Sequence, residues 1–234
     1  MNKIGMIGLI GAASLAAAAN AGFTGWQAIA RSSGSNTIVD VFAGFNTAGD
    51  KLLNVFNMNI AVTGGAAFVQ QAGVAPSKWK PIDDTSSTSS VDSFVTLGGF
   101  SYGGEFFTSY SSAGDPNFTN YTTNNATTIP ALAGWYNGSP TSPDILAIDL
   151  ATASSNWTGA KDSASAAGNL GVWVGHFLVN RSITDASWTL TFSGSAAFNT
   201  GTNQADSRVF HNIPAPGALA LLGLAGFASR RRRA

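Results

Sequence analysis

Two histidines, a single glutamate and no cysteine narrow the acid–base and nucleophilic chemistry open to this 234-residue chain. A hydrolase triad needs a histidine held between a nucleophile and a carboxylate. His176 lies in "GVWVGHFLVN", where strict alternation puts it on one face with Val172, Val174 and Leu178. His211 stands two residues before a proline motif, in a stretch that reads as a flexible linker. No Gly-x-Ser-x-Gly elbow occurs, so His176 reads as a hydrogen-bonded structural histidine. No pair of histidines has zinc-ligand spacing. No catalytic residue and no metal ligand is assigned.

Glycoside hydrolysis uses two carboxyl groups flanking the scissile bond. Glu105, in "SYGGEFFTSY" among aromatic rings, is the one glutamate available, and no motif frames a partner for it. Calcium suits the oxygen-rich loops better, since aspartate and asparagine supply hard ligands. Asp50 in "NTAGDKLLN", Asp83 with Asp84, and "GDPN" at 114–117 are candidates, but none has EF-hand spacing and all read as solvated turns. No cofactor is assigned; calcium is the candidate that these loops offer. Trp135 and Tyr136, near a glycine-proline turn, read as an exposed pair that could stack on a sugar ring, whereas Trp173 and Trp188 sit in strand patterns and read as core. The Asn-x-Ser/Thr sequons at Asn117, Asn120, Asn125, Asn137, Asn156 and Asn180 follow from a composition rich in those residues.

The elements that must carry these groups are strands. "TIVDVFAGF" (37–45), "LLNVFNMNIAV" (52–62), "AAFVQQ", "VDSFVTLGG" (91–99), "GEFFTSY", "ALAGWY", "DILAIDL", "GVWVGHFLVN" (171–180) and "SWTLTFSG" (187–194) show apolar runs or period-2 alternation. In 52–62 the alternation sets Leu52, Phe56, Met58, Ile60 and Val62 on one face, with Asn57 and Asn59 on the other. In 187–194 Trp188, Leu190 and Phe192 oppose Thr189, Thr191 and Ser193, the mark of an antiparallel sheet with one wet face. Residues 111–128 read as a long surface loop, and 151–169 is the one place for a short helix. Helix-surface residues are scarce and polar loop residues abundant. The expected fold is all-β: an antiparallel β-sandwich or jelly-roll-like single domain over residues 22–210.

Between residues 22 and 212 seven basic side chains face twelve acidic ones, a net charge of −5. That excludes the basic footprint a nucleic-acid binder needs. Without cysteine, the body has neither disulfides nor thiolate chemistry and must rest on its core.

The two ends read as addresses. Residues 1–21 join Lys3, an apolar run from Ile4 to Ala19, and the small-residue site Ala19-Asn20-Ala21. This is the pattern that signal peptidase cuts, between Ala21 and Gly22. At the other end Pro214, Ala215 and Pro216 precede a run of small and apolar residues, 217–229, with Gly217, Leu219, Leu221, Leu222, Leu224 and Phe227 along it. As a helix that run would measure ~20 Å, against a hydrocarbon core of ~30 Å. Arg230, Arg231, Arg232 and Arg233 follow and would stay on the cytoplasmic side.

This three-part order of proline motif, short apolar transmembrane helix and terminal arginine block resembles the PEP-CTERM sorting signal of exported proteins in Gram-negative-type bacteria that make exopolysaccharide. Ala215 stands where that signal's name implies glutamate. The resemblance covers residues 211–234. It implies processing by an exosortase-like membrane enzyme and delivery to the cell surface or the extracellular matrix. The body also looks like the β-rich exported domains that precede such tails, in "DVFAGFNTAGDKLLNVFNMNI" and "SVDSFVTLGG". The expectation is a secreted, non-enzymatic structural or adhesive protein. The alternatives are a carbohydrate-binding module that takes polysaccharide, or a secreted glycoside hydrolase or esterase.

Overall fold

The computed structural model describes residues 22–71, 78–81, 89–102, 105–108, 112–150, 161–162, 170–199 and 203–211. The signal segment with Ala19 and Ala21, the whole of 212–234, Asp83, Asp84 and Asn156 lie outside the described residues. Among the described residues no helix is long and apolar enough to cross a membrane.

The strands are β1 (Phe23–Ser33), β2 (Asn36–Phe45), β3 (Leu52–Val62), β4 (Phe94–Val95), β5 (Gly99–Tyr102), β6 (Glu105–Thr108), β7 (Ser112–Gly114), β8 (Ala133–Asn137), β9 (Ile148–Asp149), β10 (Lys161–Asp162), β11 (Leu170–Val179), β12 (Thr189–Phe198) and β13 (Gln204–His211). A 3-10 turn spans Pro143–Ile145. The first sheet runs β10-β1-β2-β11-β4, with β9 also on β11; the second runs β13-β12-β3-β8-β7, and β5–β6 form a separate ribbon. Every pairing is antiparallel.

The long strands form where β-branched and aromatic residues are dense, which favours a pleated surface packed on at least one side. One core cluster takes side chains from both sheets, among them Val39, Val41, Val172 and Val174 from the first and Leu52, Val55, Met58 and Leu190 from the second. Rings lock the two sheets edge to face: Trp26–Phe192 at 5.0 Å, Phe177–Phe192 at 5.9 Å and Phe45–Phe198 at 5.6 Å. Such pairs add about 0.5–1.5 kcal/mol each beyond the apolar area they bury. Trp135 Nε1–H donates to the Thr96 carbonyl at 2.8 Å, tying β8 of the second sheet to the segment after β4 of the first.

Two bulges decide which residues face where. In β3 the register shifts between Val55 and Met58, and Asn57 takes φ 53°, a left-handed backbone that asparagine tolerates. Gly194 (φ 155°) sits opposite and backs onto Met58, where any side chain would collide. The core face of β3 is therefore Leu52, Val55, Met58 and Ile60; Phe56, expected there by strict alternation, is only half-buried. In β11 the register shifts between Trp173 and Gly175. Val172, Val174, Phe177 and Val179 face the shared core, and His176 stands on the opposite face from Val172 and Val174.

Other expectations need smaller corrections. Only Phe94–Val95 of 91–99 pairs as a strand with β11, Phe68 of "AAFVQQ" makes a single bridge to Val179, and "DILAIDL" holds the 3-10 turn and β9. Within 151–169, where a helix was expected, Lys161–Asp162 pair with β1 and the rest lies outside the described residues. The strands β1 and β13 were not anticipated. His211 ends β13 opposite Thr189, so it belongs to the second sheet and not to a linker.

Candidate functional site

A charge inside an apolar strand must be paired to be tolerated, and the outer face of the first sheet is built around such a set. Asp40, in the middle of β2, is fully buried. One of its carboxylate oxygens takes the Arg31 guanidinium from β1, itself only 6% exposed, and the other takes His176 Nδ1 at 2.7 Å from β11. The second ring nitrogen, Nε2, meets the Ser89 carbonyl at 2.9 Å. A carbonyl and a carboxylate only accept hydrogen bonds. The ring also stacks on Phe94, centroids 4.8 Å apart and planes within 15°, and meets Trp173 edge to face.

Asp92 lies beside this group and is 6% exposed. Burial pushes its carboxyl up to about 6, against the opposing pull of the Gln71 and Ser93 N–H groups and of His176. Its Oδ1 accepts Gln71 N–H at 3.0 Å, and Gln70 Nε2–H donates to the Ser93 carbonyl at 2.9 Å. Segment 70–71 is thereby pinned to segment 92–93. Chemically the arrangement is a clasp. Both ring nitrogens of His176 are engaged, and neither engages a hydroxyl. Alternation alone does not single out Arg31 and Asp40; an aspartate inside "TIVDVF" and an arginine after "WQAIA" are the signals that find them.

The other candidate surface is the outward face of the second sheet. Register puts Ala113, Tyr136, Asn54 and Ala197 in one row across the strands, Phe56, Ser195 and Ala205 in the next, then Asn59, Ser193 and Ser207, then Ala61, Thr191 and Val209. No Asp, Glu, Lys or Arg occupies any of these rows. Tyr136 is 42% exposed, while its neighbour Trp135 points inward at 1%. The expected exposed pair is thus one exposed ring beside one core ring. Trp173 and Trp188 are buried, as their strand patterns implied. The bulge at Asn57 and Gly194 leaves a shallow hollow of about 650 Å³ in this face, lined by Ser193, Ser195, Ala205, Asp206 and Ser207.

Glu105 is paired through its backbone with Tyr102 in the β5–β6 ribbon. Asp50 is fully buried, and Asp115 Oδ1 accepts the Asn117 and Phe118 N–H groups at 3.0 Å each, a turn closed on itself. Among the described residues no three His, Asp or Glu side chains gather as metal ligands. Of the sequon asparagines, Asn117, Asn125 and Asn180 are exposed and Asn120 is half-buried, but Asn137 is buried and donates to the Leu97 carbonyl at 3.1 Å. Gly22, the residue after the expected cleavage point, donates its N–H to Asn46 Oδ1 at 2.9 Å, just ahead of β1. Pro214, Ala215, Pro216 and Arg230–Arg233 lie outside the described residues.

The chain matches no protein-family model, no curated protein and no solved structure.

Proposed function

We propose that this is an exported bacterial protein, cut after Ala21 and sorted by its PEP-CTERM-like tail to the cell surface or the exopolysaccharide matrix. Its body serves there as a structural or adhesive unit and not as an enzyme. The observation that carries this reading is where the folded body lies. Among the described residues the first strand opens at Phe23 and the last closes at His211, between the two segments that read as processing signals. Cleavage after Ala21 and within the tail would leave every described strand in place.

A β-sandwich is the finer description this reading adopts. Two antiparallel sheets, β10-β1-β2-β11-β4 and β13-β12-β3-β8-β7, share one core, and the described strands pass between them at β2 to β3, β3 to β4, β4 to β7, β8 to β9 and β11 to β12. This supports two sheets packed face to face.

The non-enzymatic reading draws on His176, whose ring nitrogens are both engaged by Asp40 and Ser89. A general base needs a free ring nitrogen within reach of the proton it takes. A second reading, a carbohydrate-binding module, is favoured by the exposed Tyr136 on a sheet face whose outward rows hold no charged residue. A reporter carrying the signal segment and residues 211–234 tests the sorting. Delivered to an exopolysaccharide-forming bacterium, it should reach the surface or medium without its tail, and replacing Arg230–Arg233 by glutamine should block that processing. A reporter that keeps its tail outside the cell would contradict the reading.

A further inference from the structure

The described body carries charge on its loops, its sheet edges and its buried clasp, yet the outward rows of the second sheet hold none. A solvated sheet face on an acidic chain of this size is ordinarily where lysine, glutamate and aspartate collect, because they keep the face soluble and unpaired. Here serine, threonine and asparagine alternate with alanine across β13, β12 and β3. We propose that this face is a binding site for a neutral, extended polysaccharide, with Tyr136 as its stacking ring and the hydroxyls of Ser193, Ser195 and Ser207 as its polar contacts.

Three observations converge on that ligand class. The first is charge: a body with a net charge of −5 repels an anionic polymer, and the one ionised group lining the hollow, Asp206, is already paired with Arg208 at 2.6 Å and so offers a cationic one little. A neutral chain pays neither cost. The second is the chemistry of the face. Sugar hydroxyls both donate and accept, and serine, threonine and asparagine answer in the same two senses. The third is shape. Tyr136 on β8 and the half-exposed Phe56 on β3 stand on the same side of neighbouring strands, and the hollow beside Asn57 continues toward β13. An extended chain lying across the strands would place a pyranose face on the Tyr136 ring and its next units over the serines. The register supports such a path, because Ser193 and Ser195 on β12 lie opposite Ser207 and Ala205 on β13. The bulge has a role in this arrangement: it lowers the sheet surface at Gly194, so that a sugar unit beyond the ring has somewhere to sit.

The inference rests on the adhesive reading above only for its biological setting, and its test is independent of export. The full-length protein is run in native gels containing hydroxyethylcellulose, a neutral extended glucan, and in parallel gels containing alginate, an anionic one. The glucan gel should retard it and the alginate gel should not. Tyr136→Ala should weaken the retardation about tenfold, equivalent to about 1.4 kcal/mol of binding. Tyr136→Trp should keep it, and Ser195→Asp should abolish it. Val91→Ala, an exposed site away from this face, should leave it unchanged. Equal retardation by both polymers, no retardation by either, or binding indifferent to Tyr136→Ala and Ser195→Asp would overturn the proposal. So would sedimentation showing a dimer that Ser195→Asp dissociates, because the face would then belong to a second copy. None of these results bears on whether the ends are cut, so the two readings fail separately.

Discussion

His176 Nδ1 lies 2.7 Å from Asp40 Oδ1 across the β2–β11 ladder, where the two residues are register partners. The pair is fully buried and shares its carboxylate with Arg31. Removing one member of a buried ionic set leaves the others uncompensated, at a cost of about 3–5 kcal/mol. Asp40→Ala should therefore destabilise the protein by about that amount, because it strips both Arg31 and His176 of their carboxylate at once. His176→Ala should cost less, since Asp40 keeps Arg31. Urea unfolding followed by tryptophan fluorescence measures both. Equal and small losses would mean that the clasp is solvated.

Asp92 supplies a pH signature. Its carboxyl is pushed from an ordinary value of 3.8 to about 6. Between about pH 4 and 6 the folded protein holds a proton that the unfolded chain has released, so stability falls as pH rises through that window and levels off above it. With screening by nearby solvent the span is about 1–2 kcal/mol. Asp92→Asn should flatten that part of the stability profile while keeping the Gln71 N–H contact. Unfolding midpoints measured across the window decide it, and a profile unchanged by the substitution would contradict the assignment.

Much of this fold was legible in the sequence, and the misses share a cause. β2, β3, β11 and β12 declared themselves because their apolar residues outnumber one face's needs or alternate cleanly. The orientation of Phe56 and His176 could not be read from alternation, because a bulge adds one residue to the count and turns every side chain beyond it over. Asn57 and Gly194 are the residues that permit one such bulge, and neither is distinctive in a chain this rich in asparagine and glycine. β13 was missed because "QADSRVFH" is polar along most of its length; it is an edge strand, held by β12 on one side. β1 was missed because it follows directly on the signal-like segment and is buried on both faces for much of its length, which erases the period-2 pattern. The clasp was only half visible: His176 was recognised as structural, but its partners could not be identified without the register.

The turn after β3 offers a backbone test. Gly64 has φ 70°, and a Cβ there would collide with the Ser187 carbonyl. Gly64→Ala should cost at least about 1–2 kcal/mol from the left-handed backbone alone. Gly49, where a Cβ meets nothing, should accept alanine with little change. Thermal denaturation of the two variants side by side provides the comparison, and equal midpoints would contradict the described turn.

Trp135 links the sheets through one hydrogen bond as well as its bulk. Trp135→Phe keeps most of the apolar volume but leaves the Thr96 carbonyl without that donor, a loss of about 1–3 kcal/mol. Trp135→Ala opens a cavity and should cost about 3–5 kcal/mol. Tyr136→Ala, one residue along and outward, should be within about 0.5 kcal/mol of the parent, as surface substitutions are. Chemical denaturation of the three variants gives the order, and parity between Trp135→Ala and Tyr136→Ala would refute the inward placement of Trp135.

Processing at both ends is the claim on which the functional account turns, and intact-mass spectrometry of the protein recovered from outside its native cell measures it directly. The account predicts a chain that starts at Gly22 and lacks Arg230 to Arg233. A recovered species that still carries Met1, or that ends in the complete arginine block, would contradict it.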